Sequence, residues 1–328
     1  MSSDLHFTSS TTSEDVAHVF QDQIANSTVL ITGVSPNGLG ESMAYALAKM
    51  KPAKLILTAR TISKAQEVAR GVQGSGNPSI IVETIEMDLS SMASVRAAAA
   101  HVIQAASVID VLINNAGVMA LPTRQLSVDG YEMHFATNFL GHWLFTKLLS
   151  PTFLTGTRVV NVTSGAYMVC PIRFHDINWE GHALPNEEKP DMVQAQNLGI
   201  GSLTNGDDQY NPMLAYLHSN AACMLYSVGL SDGLLGRHVV AISAAPGVVL
   251  TELQRHIGGF RNATTQYKTA SQGAASFLVA AFDPALQRHN GAYINDCQLT
   301  AIDCAHVQDK LVARKLWCLA EQMVSERV

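Results

Sequence analysis

The sequence predicts an α/β fold: a doubly wound parallel sheet with helices on both faces. Three observations carry this. Short β-branched runs alternate with longer helix-like stretches along most of the chain. The run at 28–32 is β-branched and largely apolar, as a parallel strand buried on both faces is. The first run, Thr28-Val29-Leu30-Ile31-Thr32, ends in a glycine-rich turn that opens directly into a helical stretch. The 328 residues, 47% hydrophobic and only 15% charged, can bury a large core.

The elements follow in order. Residues 1–27 read as an N-terminal arm, first polar and Ser/Thr-rich, then a short amphipathic helix over 13–24 on Val16, Val19, Phe20 and Ile24. Residues 28–328 read as one nucleotide-binding catalytic domain. Strand 28–32 precedes helix 41–50, and strand 55–59 precedes helix 63–70 and a turn at 71–78. Strand 80–87 leads to an Ala-rich helix over 91–106, and strand 109–113 to a long helix over 128–149 that stops before Pro151. Strand 158–162, helix 213–235, strand 239–243, helix 269–282, a short strand 292–294 and a closing helix 306–324 complete about seven strands. Residues 175–211, rich in Asn, Gly, Asp and Pro, break the alternation and read as an insertion or lid loop at the mouth of the site.

Composition removes several function classes. The net charge of -6 argues against nucleic acid and anionic membrane surfaces. No run approaches the ~18 apolar residues of a membrane span, and the N-terminus lacks the apolar core of a signal peptide. The five cysteines include no CxxC pair and read as reduced thiols of a cytoplasmic protein. The 12 histidines show no HExxH and no Cys/His cluster, so no metal site is expected.

The turn Thr32-Gly33-Val34-Ser35-Pro36-Asn37-Gly38-Leu39-Gly40 joins the first strand to the first helix. Glycines there let backbone approach a pyrophosphate, and the helix N-terminus offers free N–H groups. This context marks the sheet as the Rossmann type, with Gly33, Ser35, Asn37, Gly38, Leu39 and Gly40 as candidate cofactor contacts. Roughly 20 residues on, where an acid would meet ribose hydroxyls, stands Arg60. A guanidinium suits a 2′-phosphate, which favours NADP(H). Asp88-Leu89 closes the third strand. The acid there either binds the adenine amino group or caps the next helix.

In this register the chain resembles the short-chain dehydrogenase/reductase family. The matches run from Thr32 to Thr251: the TG…GLG turn, Asp88-Leu89, Asn114-Asn115-Ala116-Gly117, Asn138, Ser164, Tyr216 and Pro246-Gly247 with Thr251. The insertion and the Leu316-Trp317 helix resemble the retinol-dehydrogenase-like and WW-domain-oxidoreductase-like branch, its fungal members above all. The resemblance implies cofactor contacts from Asn115, Ala116, Gly117, Tyr216, Asn220, Pro246, Gly247, Val249 and Thr251, and a homodimer paired through the long helix and the Tyr216 helix. It assigns Tyr216 as acid/base, Ser164 as the carbonyl's hydrogen-bond donor, and Asn138 as holder of a water in a proton relay. Three departures stand out. Four residues separate Gly33 from Gly38, where three are usual, and Ala245 replaces a common His. Asn220 occupies the position, four after Tyr216, of a lysine that binds the nicotinamide ribose and lowers the phenol pKa.

A free phenol titrates near ~10. A cation within a few ångströms lowers that by roughly one to three units, and Asn supplies no charge. Reduction uses the protonated phenol; alcohol oxidation needs the phenolate. The expected activity is therefore NADP(H)-dependent reduction of a carbonyl or enone on a small lipophilic metabolite. The alternatives are a repurposed scaffold for cyclisation, isomerisation or elimination, and a non-catalytic NADP-binding protein. The substrate pocket is expected from residues 118–121, 166–169, the insertion and 250–260. His218, two residues from Tyr216, points off its face; Lys147 on the long helix is the other basic residue considered as a substitute cation.

Overall fold

Eight strands form one sheet in the computed structural model, which describes residues 6–75, 79–204, 210–257 and 266–326. They are β1 (Thr28–Ile31), β2 (Lys54–Ala59), β3 (Val82–Glu86), β4 (Ile109–Asn114), β5 (Phe153–Val162), β6 (Val240–Ala245), β7 (Tyr293–Asn295) and β8 (Gln298–Thr300). Their order is β3-β2-β1-β4-β5-β6-β7-β8, parallel as far as β7. The expected count of about seven is corrected by one. β8 returns on β7 as an antiparallel hairpin, its two-residue turn made by Asp296 and Cys297 at positive φ. Such turns favour Asn-Gly or Asp-Gly, so Asp-Cys carries no readable signal.

Ten helices accompany the sheet: α1 (Ser13–Val19), α2 (Gln21–Ile24), α3 (Leu39–Ala48), α4 (Ile62–Gly74), α5 (Met92–Ala105), α6 (Gly141–Leu149), α7 (Met192–Asn197), α8 (Pro212–Ser231), α9 (Ala270–Phe282) and α10 (Lys310–Ser325). The period-two pleat sorts strand side chains into two cores. Leu30, Ile56, Leu112 and Val159 face α5, α6, α8 and α10. Val29, Ile31, Leu55, Leu57, Val111, Ile113 and Val160 face α1, α3, α4 and α9. Thus β1 sends its helix to one face and β4 to the other. Their C-terminal ends are the point where a crevice must open.

Several expected boundaries shift. The 13–24 helix is interrupted at Phe20, and the helix after β2 continues through Gly74 into the expected turn, whose residues 76–78 lie outside those described. Helix 128–149 begins only at Met133, because Leu126 and Glu132 bridge and the Glu132 carboxylate accepts the Phe135 N–H. It then runs through a π-helical turn, Phe135–Leu140, before α6. β5 starts at Phe153, earlier than expected, with an irregular register against β4. α8 ends at Ser231, and α10 starts at Lys310 behind an Asp309 cap.

The insertion is packed rather than open. It carries α7 and short 3-10 turns at Asn186–Glu188 and Gly201–Leu203, and buries Trp179, Ala195 and Ile200. Buried Asp176 pairs with Arg173 at 2.7 Å, and the guanidinium stacks on Trp179. Residues 205–209 of this loop lie outside those described.

The faces through which a homodimer was expected are covered by the chain itself. Trp317 of α10 packs edge-on against Trp143 of α6 at 5.3 Å, and a Cβ at Gly229 of α8 would meet its ring at 3.2 Å. Lys147 pairs with Glu321, and the Tyr131 hydroxyl donates to the Met323 carbonyl. Light scattering after size exclusion should therefore give a monomer near 35.2 kDa. Trp317→Ala should cost about 3–5 kcal/mol in urea unfolding.

Candidate active site

At the switch point the buried hydroxyl of Thr32 ties the two strand ends together. Its Oγ1 accepts the N–H groups of Asn115 (2.9 Å) and Ala116 (3.0 Å), while the Asn115 amide donates to the Thr32 carbonyl at 2.7 Å. Its hydroxyl proton serves His142 Nε2 at 2.8 Å. The tautomer follows from the other nitrogen. Nδ1 faces the Asn138 carbonyl at 2.9 Å, which can only accept, so Nδ1 carries the proton and Nε2 accepts. Burial holds His142 neutral, its pKa pushed down to about 4.

A cavity of about 290 Å³ opens here. Of the expected cofactor residues, Gly33, Ser35, Asn37, Gly38, Leu39, Arg60, Asp88, Leu89, Asn115, Ala116, Gly117, Tyr216, Asn220 and Thr251 line it. Gly40 supports the wall from behind, where a Cβ would meet Val34 at 3.1 Å. Pro246, Gly247 and Val249 are not in the lining; Val249 packs against Gly273 of α9. The Asp88 carboxylate accepts from the Ser90 N–H (2.9 Å) and hydroxyl (2.7 Å), so it makes an Asx turn at the cavity edge.

The turn fits a dinucleotide. A Cβ on Gly33, at φ +70°, would sit 2.5 Å from Ala116 Cβ. Gly38 caps α3 with no side chain over the N-terminal N–H groups. Sequence reasoning missed Lys64, which joins Arg60 in the cavity wall from the first turn of α4. A charge one helical turn after Arg60 was the available signal. It also missed Cys223; Arg255, within the 250–260 stretch expected to line the pocket, lines this cavity too.

Tyr216, Asn220 and Cys223 project from one face of α8, at spacings of four and three. The helix starts where it does because Asn211 caps Met213 and Leu214 N–H groups ahead of Pro212. Burial pushes the Tyr216 phenol up to about 12, while hydrogen bonding with Asn220 and Ser164 pulls it back. Ser164 reaches the phenol from the end of β5. Asn220 turns its Nδ2 to the Tyr216 carbonyl at 2.8 Å and takes the Thr163 hydroxyl on its own carbonyl at 3.1 Å.

Asn138 is held through both sides of its side-chain amide. Its Nδ2 donates to Val118 O (3.0 Å) and Ser219 Oγ (2.9 Å), and Oδ1 accepts Val118 N–H (2.8 Å). Its main-chain carbonyl takes both His142 Nδ1–H and, at 3.3 Å, the Cys223 thiol. A carbonyl has two lone pairs, and this one uses both within the protein. The π turn is what turns the carbonyl inward: an i→i+5 bond, Gly141 N–H to Ala136 O, replaces the α pattern. Neither expected cation reaches the phenol. Lys147 pairs with Glu321 over Trp143, and His218 is buried against Phe135, accepting the Arg173 N–H at 3.2 Å.

The order of these parts along one sheet now meets direct comparison. The family model described as short chain dehydrogenase matches residues 27–174. The oxidoreductase fscI of Fusarium equiseti is 39% identical over 249 residues, covering 74% of this chain and 94% of that protein. The chain belongs to the short-chain dehydrogenase family. Retinol dehydrogenase 11 of Homo sapiens is 32% identical, covering 90% of this chain and 85% of its own, which places this short-chain dehydrogenase in the retinol-dehydrogenase-like branch. A solved structure of an uncharacterised Mycobacterium paratuberculosis protein is 30% identical, covers 92% of this chain and 94% of its own, and superposes with a TM-score of 0.67. A Burkholderia cenocepacia short-chain dehydrogenase solved with NADP, 20% identical with a TM-score of 0.58 and covering 83% of this chain and 97% of its own, shares the fold.

Around Tyr216 the short-chain dehydrogenase builds a third apolar cluster. Met119, Ala120, Val169 and Cys170 meet Trp179, Ala195 and Ile200 of the insertion, with Ala166, Leu253 and Ile257 at its edge. Of the residues expected to form the substrate pocket, Met119, Ala120 and Val169 pack as core here, Val118 and Leu253 line the cavity, Leu250 is exposed, and residues 258–260 lie outside those described. Among the described residues no cluster of three or more His, Cys, Asp or Glu could hold a metal, and no helix could cross a membrane.

Gly33→Ala should lower unfolding free energy by about 2 kcal/mol or more, from strain at positive φ and overlap with Ala116. The same variant should lose dinucleotide binding in a calorimetric titration.

Proposed function

We propose that this chain is an NADP(H)-dependent reductase acting on the carbonyl or enone of a small lipophilic metabolite. The observation that carries the reading is a phenol that keeps its proton. Tyr216 lines the cavity beside Asn220, burial pushes its phenol up to about 12, and no cationic side chain among the described residues acts on it. Such a group is an acid at working pH, and a poor base.

Bound NADPH supplies the hydride. Ser164 polarises the substrate oxygen, and Tyr216 gives that oxygen its proton and is recharged from water. Arg60 and Lys64 would hold the 2′-phosphate and the α3 N-terminus the diphosphate, with the apolar cluster around Trp179 packed beside Tyr216. Its apolar walls favour a lipophilic substrate. A second reading has its own support: Asn220 spends its amide on the Tyr216 carbonyl. Under that reading the cofactor stays bound, hydride transfer is lost, and the neutral phenol serves cyclisation, isomerisation or elimination.

Stopped-flow absorbance of bound NADPH with candidate ketones separates the two. Turnover of substrate with no loss of NADPH absorbance sinks the reductase. With Tyr216 titrating near 12, reduction should be flat from about pH 6 to 10, because the acid form persists throughout. Alcohol oxidation should rise about tenfold per pH unit over the same range, because it follows the phenolate. Asn220→Lys should raise oxidation at fixed pH by about 10- to 1000-fold, the effect of lowering the phenol by roughly one to three units. Arg60→Ala with Lys64→Ala should weaken NADPH binding by about 10- to 100-fold and NADH binding little, read by fluorescence titration.

A further inference from the structure

The widened glycine turn carries a contact that the proposed chemistry does not use. The extra residue before Gly38 leaves Asn37 in left-handed backbone, at φ +60°, with its N–H directed to Glu41 Oε2 at 2.6 Å. Glu41 lies in the first turn of α3 and reaches back over that helix's N-terminus. Asn37, Gly38 and Leu39 line the cavity where a diphosphate would lie. The neighbouring Gly38 N–H closes on the Ser35 carbonyl at 3.1 Å, and the cap residue contributes no side chain of its own. The carboxylate is therefore the anion that this positive helix end holds in the free protein.

We propose that Glu41 is an internal stand-in for the cofactor diphosphate, which holds the Asn37 N–H in the free protein, yields it on binding, and thereby sets dinucleotide affinity. This rests on the dinucleotide reading of the cavity. Two anions compete for one donor and one helix end. A diphosphate must displace the carboxylate and then tolerate its charge nearby. The four-residue spacing brings the donor to Glu41, so the departure from the usual turn and the acid one turn later belong together.

Glu41→Gln retains an acceptor for Asn37 and removes the charge; Glu41→Ala removes both. Calorimetric titration with NADPH should show binding about tenfold tighter in both variants. The Tm of the ligand-free variants should fall by about 2–4 °C, more in the alanine variant, because the helix end loses its anion. Adenosine 2′-monophosphate, which lacks the diphosphate, should bind all three proteins alike. NADPH binding that is unchanged or weaker in both variants overturns the proposal and leaves Glu41 as a helix cap only. Equal tightening for adenosine 2′-monophosphate also overturns it, since the diphosphate would not be the competing group. A parent protein that binds neither NADPH nor NADH sinks the cofactor reading itself, and this inference with it.

Discussion

The site depends on one constraint: β1 and β4 are hydrogen-bonded neighbours whose helices leave to opposite faces of the sheet. Their ends cannot both be covered, so a crevice must open between them. Buried there, the Thr32 hydroxyl takes two backbone N–H groups from the β4 end and gives its own proton to His142. His142 in turn holds the Asn138 carbonyl inside the π turn. The glycine turn, the β4 end and the π turn are thus joined through one oxygen and one neutral imidazole, and Ser219 and Cys223 of α8 bond to the same Asn138.

The chemistry follows from what surrounds Tyr216. A phenol taken out of water resists ionisation, because the charged form loses more solvation than the neutral one. A cation at position 220 would oppose that; an amide only hydrogen-bonds. Cys223, one turn further along the same face, places its thiol on the Asn138 carbonyl. Asn220 puts no charge beside the phenol. The neighbouring acceptor has been closed as well, and the helix face from 216 to 223 forms a consistent uncharged wall.

Much of this was legible in the sequence because it is local. The strand–turn–helix at Thr32 to Gly40, the β-branched runs and the order of Asn138, Ser164 and Tyr216 each depend on neighbours within a few residues or on a fixed order. The elements that were misread depend on particular contacts that residue type does not announce. The start of the helix before α6 is delayed because Glu132 bonds to Phe135 and bridges Leu126. The β7–β8 turn uses Asp296 and Cys297, whose types do not announce positive φ. The insertion, rich in loop-forming residues, is held down by Trp179 and Ile200, which pack in one cluster with Met119 and Ala120.

The sequence by itself determined the sheet, the family resemblance, the cofactor turn and the absence of a lysine at 220. These are matters of residue type and spacing, which short-range sterics and periodic burial convert directly into structure. Only the tertiary structure decided that α10 covers the helices expected to pair, that Lys64 stands beside Arg60, that the Asn138 main-chain carbonyl takes both His142 and Cys223, and that Glu41 reaches the Asn37 N–H. Hydrogen-bonding capacity and burial are properties of a packed neighbourhood. They are fixed by which segments meet, as Val118, Ser219 and Cys223 meet at Asn138, and no single stretch of chain records that meeting.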